Sequence, residues 1–287
     1  MKIFITGSKG QLGSELLETL LATNEHIIVG HDRDTLDITS YDQLIEVVSQ
    51  EKPDVIINTA AYTNVDGCES DYSGAYAVNV IGAMNVARAA HAVNAKVLHI
   101  STDFVFDGAG TKPYFEYDAT NPLSVYGKTK LAGEWAIRNE CKNHFIVRTS
   151  WLYGKNGNNF VKTMIKLGKT NKELSVVTDQ VGCPTYVTDL VEAIRMMIDS
   201  DHYGTYHFSN YGSCSWNTFA KKIFEYMDMN ILVKDTTSKE FVRPAQRPNY
   251  SVMDTLMISK SFGVTIRPWE ESLETFINSQ RNILMAD

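Results

Sequence analysis

The chain has 287 residues, 44% of them hydrophobic and 21% charged, and a formal net charge of −7. That length and balance describe a folded globular protein of one large α/β unit or two lobes and exclude a disordered one. The acidic sum argues against nucleic-acid binding, which needs a basic footprint, and no apolar run approaches the length of a membrane span.

Short apolar runs alternate with helical patterns. The runs predict strands over 2–6, 26–30, 54–59, 96–101, 145–149, 174–178 and 205–208, with helices near 11–22, 40–51, 71–93, 126–140, 159–170 and 187–199. Near-continuous apolar strands separated by helices belong in a parallel sheet covered on both faces, and right-handed crossovers make that sheet doubly wound, an α/β Rossmann architecture. The apolar stretch at the N-terminus reaches a glycine turn at Gly7 before the core of a signal peptide could form. Four dispersed cysteines (Cys68, Cys141, Cys183, Cys214) without a C-x-x-C read as reduced thiols of a cytoplasmic protein.

The first strand runs into Gly7-x-x-Gly10-x-x-Gly13, and an amphipathic helix opens at Gln11 and Leu12. Gly7 permits a sharp turn, Gly10 lets the backbone approach a pyrophosphate at the helix N-terminus, and Gly13 permits close helix–strand packing. This strand–turn–helix order predicts a dinucleotide site. The second strand ends at His31-Asp32-Arg33. An acid at that tip binds the adenosine ribose, whereas a nearby arginine suits a 2′-phosphate. With His31 as the tip, Arg33 favours NADPH; a shift of one residue would put Asp32 there and leave NADH possible. Asp37 and Ile38 follow in a loop that could meet the adenine.

The fourth strand ends at Ser101-Thr102, and Tyr126 and Lys130 lie four apart on a helix, sharing one face. A free phenol titrates near about 10, and a neighbouring ammonium lowers that value. Thr102, at the carboxyl end of a strand, is placed to hold a carbonyl oxygen. Together the three describe nicotinamide-dependent carbonyl–alcohol chemistry. After Ser150 the pattern changes to a polar, glycine-rich loop with aromatics and then to mainly helical sequence. Residues 1–150 are expected to form the dinucleotide-binding domain, joined by strands near 174–179 and 204–209; residues 151–287 are expected to supply a smaller, discontinuous, mainly helical substrate lobe.

The blocks TGSKGQLG (6–13), KPDVIINTAAYTNVDGCE (52–69), STDFVFDG (101–108), NPLSVYGKTKLAGE (121–134), RTSWLYGKNGNNFVKTM (148–164), DQVGCPT (179–185) and RPNYS (247–251) resemble the dTDP-4-dehydrorhamnose reductases, a family of extended short-chain dehydrogenases/reductases. The likeness spans essentially the whole chain. It implies NADPH-dependent reduction of the 4-keto group of dTDP-4-dehydro-6-deoxy-L-mannose to dTDP-L-rhamnose, with Thr102, Tyr126 and Lys130 catalytic. It implies that Ala60, Ala61 and Tyr62 line the cofactor, that Thr63 and Val65 face the substrate, and that Asp103, Phe104 and Val105 border the sugar. Trp151 would pack on the sugar ring, Asn159 and Phe160 would lie towards the nucleotide, and Arg247 towards the diphosphate; Phe160 could equally be core. The rival readings are an epimerase or dehydratase of the same fold, which retains NAD, and a non-catalytic NADP-binding regulatory subunit.

Some relatives use Mg²⁺ to bridge a dimer through a glutamate on the first helix and acids after a Pro-Thr. Glu15 matches the first, but Tyr186-Val187-Thr188-Asp189 leaves at most Asp189 for the second. Two carboxylates make a thin octahedral site. The expectation is therefore no metal, a solvated Glu15, activity that survives EDTA, and a monomer or weak homodimer.

Overall fold

The computed structural model describes residues 1–286. In chain order the elements are β1 (Lys2–Thr6), α1 (Gln11–Thr23), β2 (Ile27–His31), α2 (Tyr41–Glu51), β3 (Val55–Asn58), α3 (Val65–Ser70), α4 (Tyr72–Tyr76), a π-helical turn (Ala77–Gly82), α5 (Ala83–Ala92), β4 (Lys96–Thr102), α6 (Val125–Glu140), β5 (His144–Thr149) and β6 (Leu152–Tyr153). There follow α7 (Phe160–Thr170), β7 (Glu173–Val177), β8 (Val181–Gly182), β9 (Thr185–Tyr186), α8 (Val187–Ile198), β10 (Gly204–His207), β11 (Cys214–Ser215), α9 (Trp216–Tyr226), β12 (Leu232–Thr236), α10 (Leu256–Phe262) and α11 (Trp269–Ala286).

Six parallel strands form the main sheet in the order β10-β5-β4-β3-β1-β2. The order reverses at β1, which has β2 on one side and β3 on the other, so the cleft for a ligand opens beyond the carboxyl ends of β1 and β3. Both faces are covered, and the central strands are therefore apolar throughout: β3 is wholly buried. One face packs Ile3, Ile5, Val55, Ile57 and Leu98 against α1 and α8, and the other packs Phe4, Ile56, Val97 and Ile146 against α2 and α5.

The expected sheet gains β10 but not the strand expected near 174–179. β7 pairs with β12 in a separate two-stranded sheet, Val176 opposite Asp235. The reason is packing: Val176 and Val233 belong to a second core with Phe219, Ile223, Phe224, Leu273 and Phe276 from α9 and α11. A strand committed to that core cannot also lie beside β10. Among the described residues no helix is long and apolar enough to cross a membrane.

Candidate active site

A cleft of about 1140 Å³ runs across the carboxyl ends of β1, β3 and β4 and under the second core. At one end lies the glycine turn, where Gly7, Gly10, Gln11, Leu12 and Gly13 all line the cleft. Gly7 has φ +69°, and a Cβ there would meet Ala60 N at 2.8 Å; a Cβ on Gly13 would sit 2.1 Å from Gly7 O. The turn is therefore closed to side chains, and α1 packs hard against it. Gly10 caps α1 with no side-chain hydrogen bond, and no acid occupies the first turn. The free amides of that helix end suit a pyrophosphate.

β2 ends at His31, so the tip residue is the histidine. Its Nδ1 faces the Thr35 hydroxyl at 3.3 Å, and its Nε2 is buried without a partner. Asp32 is turned back on the glycine loop, accepting the Lys9 amide at 3.0 Å, and of the three tip residues His31, Asp32 and Arg33 the arginine is the exposed one. Lys9, Arg33, Asp37, Ile38 and Thr39 line the same end of the cleft. An unpartnered imidazole nitrogen and an exposed guanidinium fit a dianionic 2′-phosphate better than a ribose diol, while the Lys9 ammonium is paired with Asp34 at 2.8 Å. Arg33→Ala is expected to weaken NADPH by about 1–3 kcal/mol and to spare NADH. Titration with both cofactors checks this, and equal losses would remove Arg33 from that role.

Thr59, Ala60, Ala61, Tyr62, Thr63 and Val65 line the wall after β3. Asn79, in the π-helical turn, pins this wall: its Oδ1 accepts the Tyr62 amide at 2.8 Å and its Nδ2 donates to Tyr62 O at 3.2 Å. The floor holds Thr102, Asp103, Phe104, Tyr126 and Lys130. The Ser124 side chain caps α6 by accepting from Gly127 N, which fixes where the helix starts and aims Tyr126 one residue into it. Phe104 packs edge-on against the Tyr126 ring at 5.5 Å.

The electrostatics of the floor differ from the simple expectation of a tyrosine lowered by its lysine. Burial pushes the Tyr126 phenol above its ordinary value, Asp103 adds to this, and the Thr102 hydroxyl works against it. Lys130 sends its hydrogen bonds elsewhere, to Ile100 O at 2.6 Å and towards His99 Nε2 at 3.3 Å. Burial pulls its ammonium down to about 8, and Glu134 opposes that. A phenol held above its usual range stays protonated at neutral pH, as a proton donor must.

Asp103, expected to border the sugar, lines the floor. It is buried, accepts the Thr102 hydroxyl at 3.0 Å, and leaves Oδ2 unpartnered. Burial pushes its carboxyl up to about 6, against the pull of Ser251 and Thr102. A carboxyl raised on folding contributes stability that is complete below its unfolded value of about 3.9 and is lost as pH rises through about 6. Asp103→Asn removes that dependence. The variant should therefore gain on the wild type between about pH 4 and 6, at about 1.4 kcal/mol per pH unit, and hold the gain above. Urea melts at pH 4 and pH 7 measure it.

On the far side Trp151, Leu152, Asn158, Trp216 and Arg247 complete the cleft. Trp151 has φ +47° and stacks on Trp216 with ring centroids 3.5 Å apart. A Cβ on Gly182 would lie 2.7 Å from the Trp151 indole, so a glycine there makes room for it. Trp216 opens α9 and escaped notice because its partner lies far away in sequence. Arg247 lines the cleft but is held by Asp66, Nη1 to Oδ1 at 3.1 Å and Nη2 to Oδ2 at 3.0 Å. Arg243 reaches the same carboxylate. Burial would raise the Asp66 pKa, but the two arginines outweigh it and bring it to about 2.

Three expected substrate residues lie off the cleft. Val105 is fully buried with Phe106, Tyr114, Leu131 and Met253, because the 3₁₀ turn after Thr102 points it inward. Asn159 caps α7, accepting from Lys162 N while its Nδ2 donates to Gly154 O and Gln11 Oε1. Phe160 is half-buried against the second core: it packs on Trp216 at 4.5 Å and Phe219 at 5.6 Å. Glu15 is likewise not solvated. It is 7% exposed and accepts the Thr188 hydroxyl at 2.9 Å. Asp189 is bound by Arg267, Asn210 and Ser272. No cluster of three or more metal-binding side chains occurs among the described residues.

Comparison with known proteins places these features in one group. The RmlD substrate binding domain family matches residues 1–282. The chain is similar to the spore coat polysaccharide biosynthesis protein SpsK of Bacillus subtilis, 40% identical over 97% of this chain and 98% of the relative. It is also similar to the crystal structure of a dTDP-4-dehydrorhamnose reductase from Clostridium acetobutylicum, 46% identical with TM-score 0.95 over 98% of this chain and 100% of the other. A dTDP-4-dehydrorhamnose reductase from Bacillus anthracis, solved in complex with NADP, is 47% identical with TM-score 0.95 over 97% and 99%. The chain, matched along nearly its whole length, belongs to the RmlD substrate binding domain family.

Proposed function

We propose that the protein reduces the 4-keto group of dTDP-4-dehydro-6-deoxy-L-mannose with NADPH to give dTDP-L-rhamnose. The observation that carries this reading is the meeting of Thr102, Tyr126 and Lys130 on the floor of the cleft whose other end is the glycine turn. The family supports it, as does the NADP held by a reductase 47% identical to this chain. When bound, the reduced nicotinamide supplies the hydride. Tyr126 then protonates the oxygen of the former ketone, Thr102 holds that oxygen, and Lys130 stabilises the phenolate left behind. The stack of Trp151 on Trp216 offers the sugar a flat apolar platform, and Arg247 exchanges Asp66 for the substrate diphosphate. Residues 1–150 with α8, β10 and α10 form the cofactor lobe, and the segments around the second core form the substrate lobe. The protein works in the cytoplasm as a monomer or weak homodimer.

The test is stoichiometry. With the dTDP-4-keto sugar, NADPH absorbance should fall one-for-one with substrate, and faster than with NADH. An epimerase or dehydratase would transform a nucleotide sugar with no net loss of the band, and a regulatory subunit would bind NADPH and leave it unchanged.

A further inference from the structure

His99 takes no part in the steps above, yet it is 1% exposed beside the catalytic lysine. Its Nε2 lies 3.3 Å from Lys130 Nζ and its Nδ1 lies 3.0 Å from Asn58 Nδ2. Asn58 Oδ1 in turn lies 2.7 Å from the Thr6 hydroxyl. Thr6 is the last residue of β1, directly before Gly7. The four side chains thus run from the phosphate turn across β1, β3 and β4 to α6, and none is more than 2% exposed.

An ammonium has three N–H bonds to place. Ile100 O takes one at 2.6 Å, and His99 stands where it can take a second, which leaves the third for the cleft. We propose that His99 is a positioning residue for Lys130: a neutral imidazole that accepts from the ammonium through Nε2, its tautomer following the orientation of the Asn58 amide. As placed, the Asn58 amide turns Nδ2 to His99 Nδ1 and Oδ1 to the Thr6 hydroxyl; with that amide turned over, Nδ1 carries the ring proton and donates to the Asn58 oxygen, the amide nitrogen donates to Thr6, and Nε2 is left to accept. The opposite polarity, Thr6 to Asn58 to Nδ1 with Nε2–H facing a lysine lone pair, serves the neutral amine. The two ends of the Asn58 amide are of similar size, so both directions fit the same space. The imidazole carries one proton in each, and Lys130 keeps its place in either charge state.

The surroundings keep His99 neutral. Burial and the positive charges of Lys130 and Arg138 hold its pKa well below the ordinary value. Of the two acids on α6, Glu134 is committed to Arg148 of β5 and to Arg138, and Glu140 to Arg88 of α5. β3 offers the neutral Asn58, and α5 buries alanines, Val86 and Asn85 but no charged group.

The inference rests on Lys130 acting at the nicotinamide, so its test includes a readout without turnover. Ring-¹⁵N spectra of the ligand-free protein at pH 7 should show His99 neutral with Nε2 unprotonated, and Lys130→Met should shift that nitrogen. His99→Leu removes the acceptor, so the ammonium is lost more readily and the basic limb of the pH–rate profile should fall by about one pH unit. His99→Gln keeps an acceptor and should restore the limb. An unmoved limb in folded His99→Leu, or a protonated Nε2 in the wild type at pH 7, overturns the proposal. Where His99→Leu does not fold, the spectra of the wild type and Lys130→Met decide it. If Lys130→Met turned over normally, the role of Lys130 itself would fall while the ring-nitrogen result stood apart.

Discussion

Tyr126→Phe is expected to lower turnover by roughly 10²–10⁴ while NADPH affinity stays nearly unchanged. The phenol supplies the only proton that the scheme places on the product oxygen, and the ring that packs on Phe104 at 5.5 Å survives the change. The loss should appear in kcat and kcat/KM alike, as for an interaction made in the transition state rather than in substrate binding. Lys130→Ala differs in kind, because the lysine is also assigned to the cofactor; it should weaken NADPH as well. Single-turnover absorbance with saturating NADPH separates chemistry from binding. Unchanged turnover in the phenylalanine variant would end the assignment of Tyr126 as the acid. A loss of NADPH affinity matching the loss of rate would point to damage in the cleft.

What was legible in the chain follows from how local each signal is. Parallel strands buried on both faces leave continuous apolar runs, and β1 was read to the residue. The helix pair Tyr126 and Lys130, the Thr102 strand end and the glycine turn are each defined within a few residues, so their types and spacing suffice. The features that were missed are made by distant residues. Arg247 meets Asp66, and Thr188 meets Glu15, across separations of 181 and 173 residues. Glu15 reads as solvated on its own helix and becomes buried only because α8 lies against α1. β7, with its alternating exposure, carries no mark that says which sheet it joins; its partner β12 is supplied much later in the chain. Val105 is a different case. The short helical turn after Thr102 reverses its direction, and sequence neighbours of a cleft residue need not face the cleft.

Glu134→Ala is expected to destabilise the protein by about 3–5 kcal/mol, the cost of leaving a buried charge without its partner. Glu134 is 0% exposed and accepts from Arg148 Nε and Nη2, both at 2.8 Å, from Arg138 Nη2 at 2.8 Å, and from Ser101 Oγ at 2.6 Å. Burial alone would raise its pKa, yet the arginines and Ser101 hold the carboxyl below its ordinary value, so it is charged at neutral pH. Arg148, 2% exposed, would lose its counter-ion in the alanine variant while staying out of water. The cluster ties α6 to β4 and β5, and Ser101 adjoins Thr102 while Glu134 lies one turn beyond Lys130. Its function is therefore to set the helix that carries Tyr126 and Lys130 against the strand that carries Thr102. For a chain of this size the melting temperature should drop by of order 10 °C, and turnover should fall further than the loss of folded protein explains. The double replacement Glu134→Leu with Arg148→Met removes both charges and fills the space. It should recover much of the stability, because a buried pair contributes little net compared with apolar packing. Melts of Glu134→Leu, Arg148→Met and the double variant form the cycle. Additive losses would show that Glu134 and Arg148 do not act as a pair, and a stable alanine variant would show that water reaches Arg148 after all.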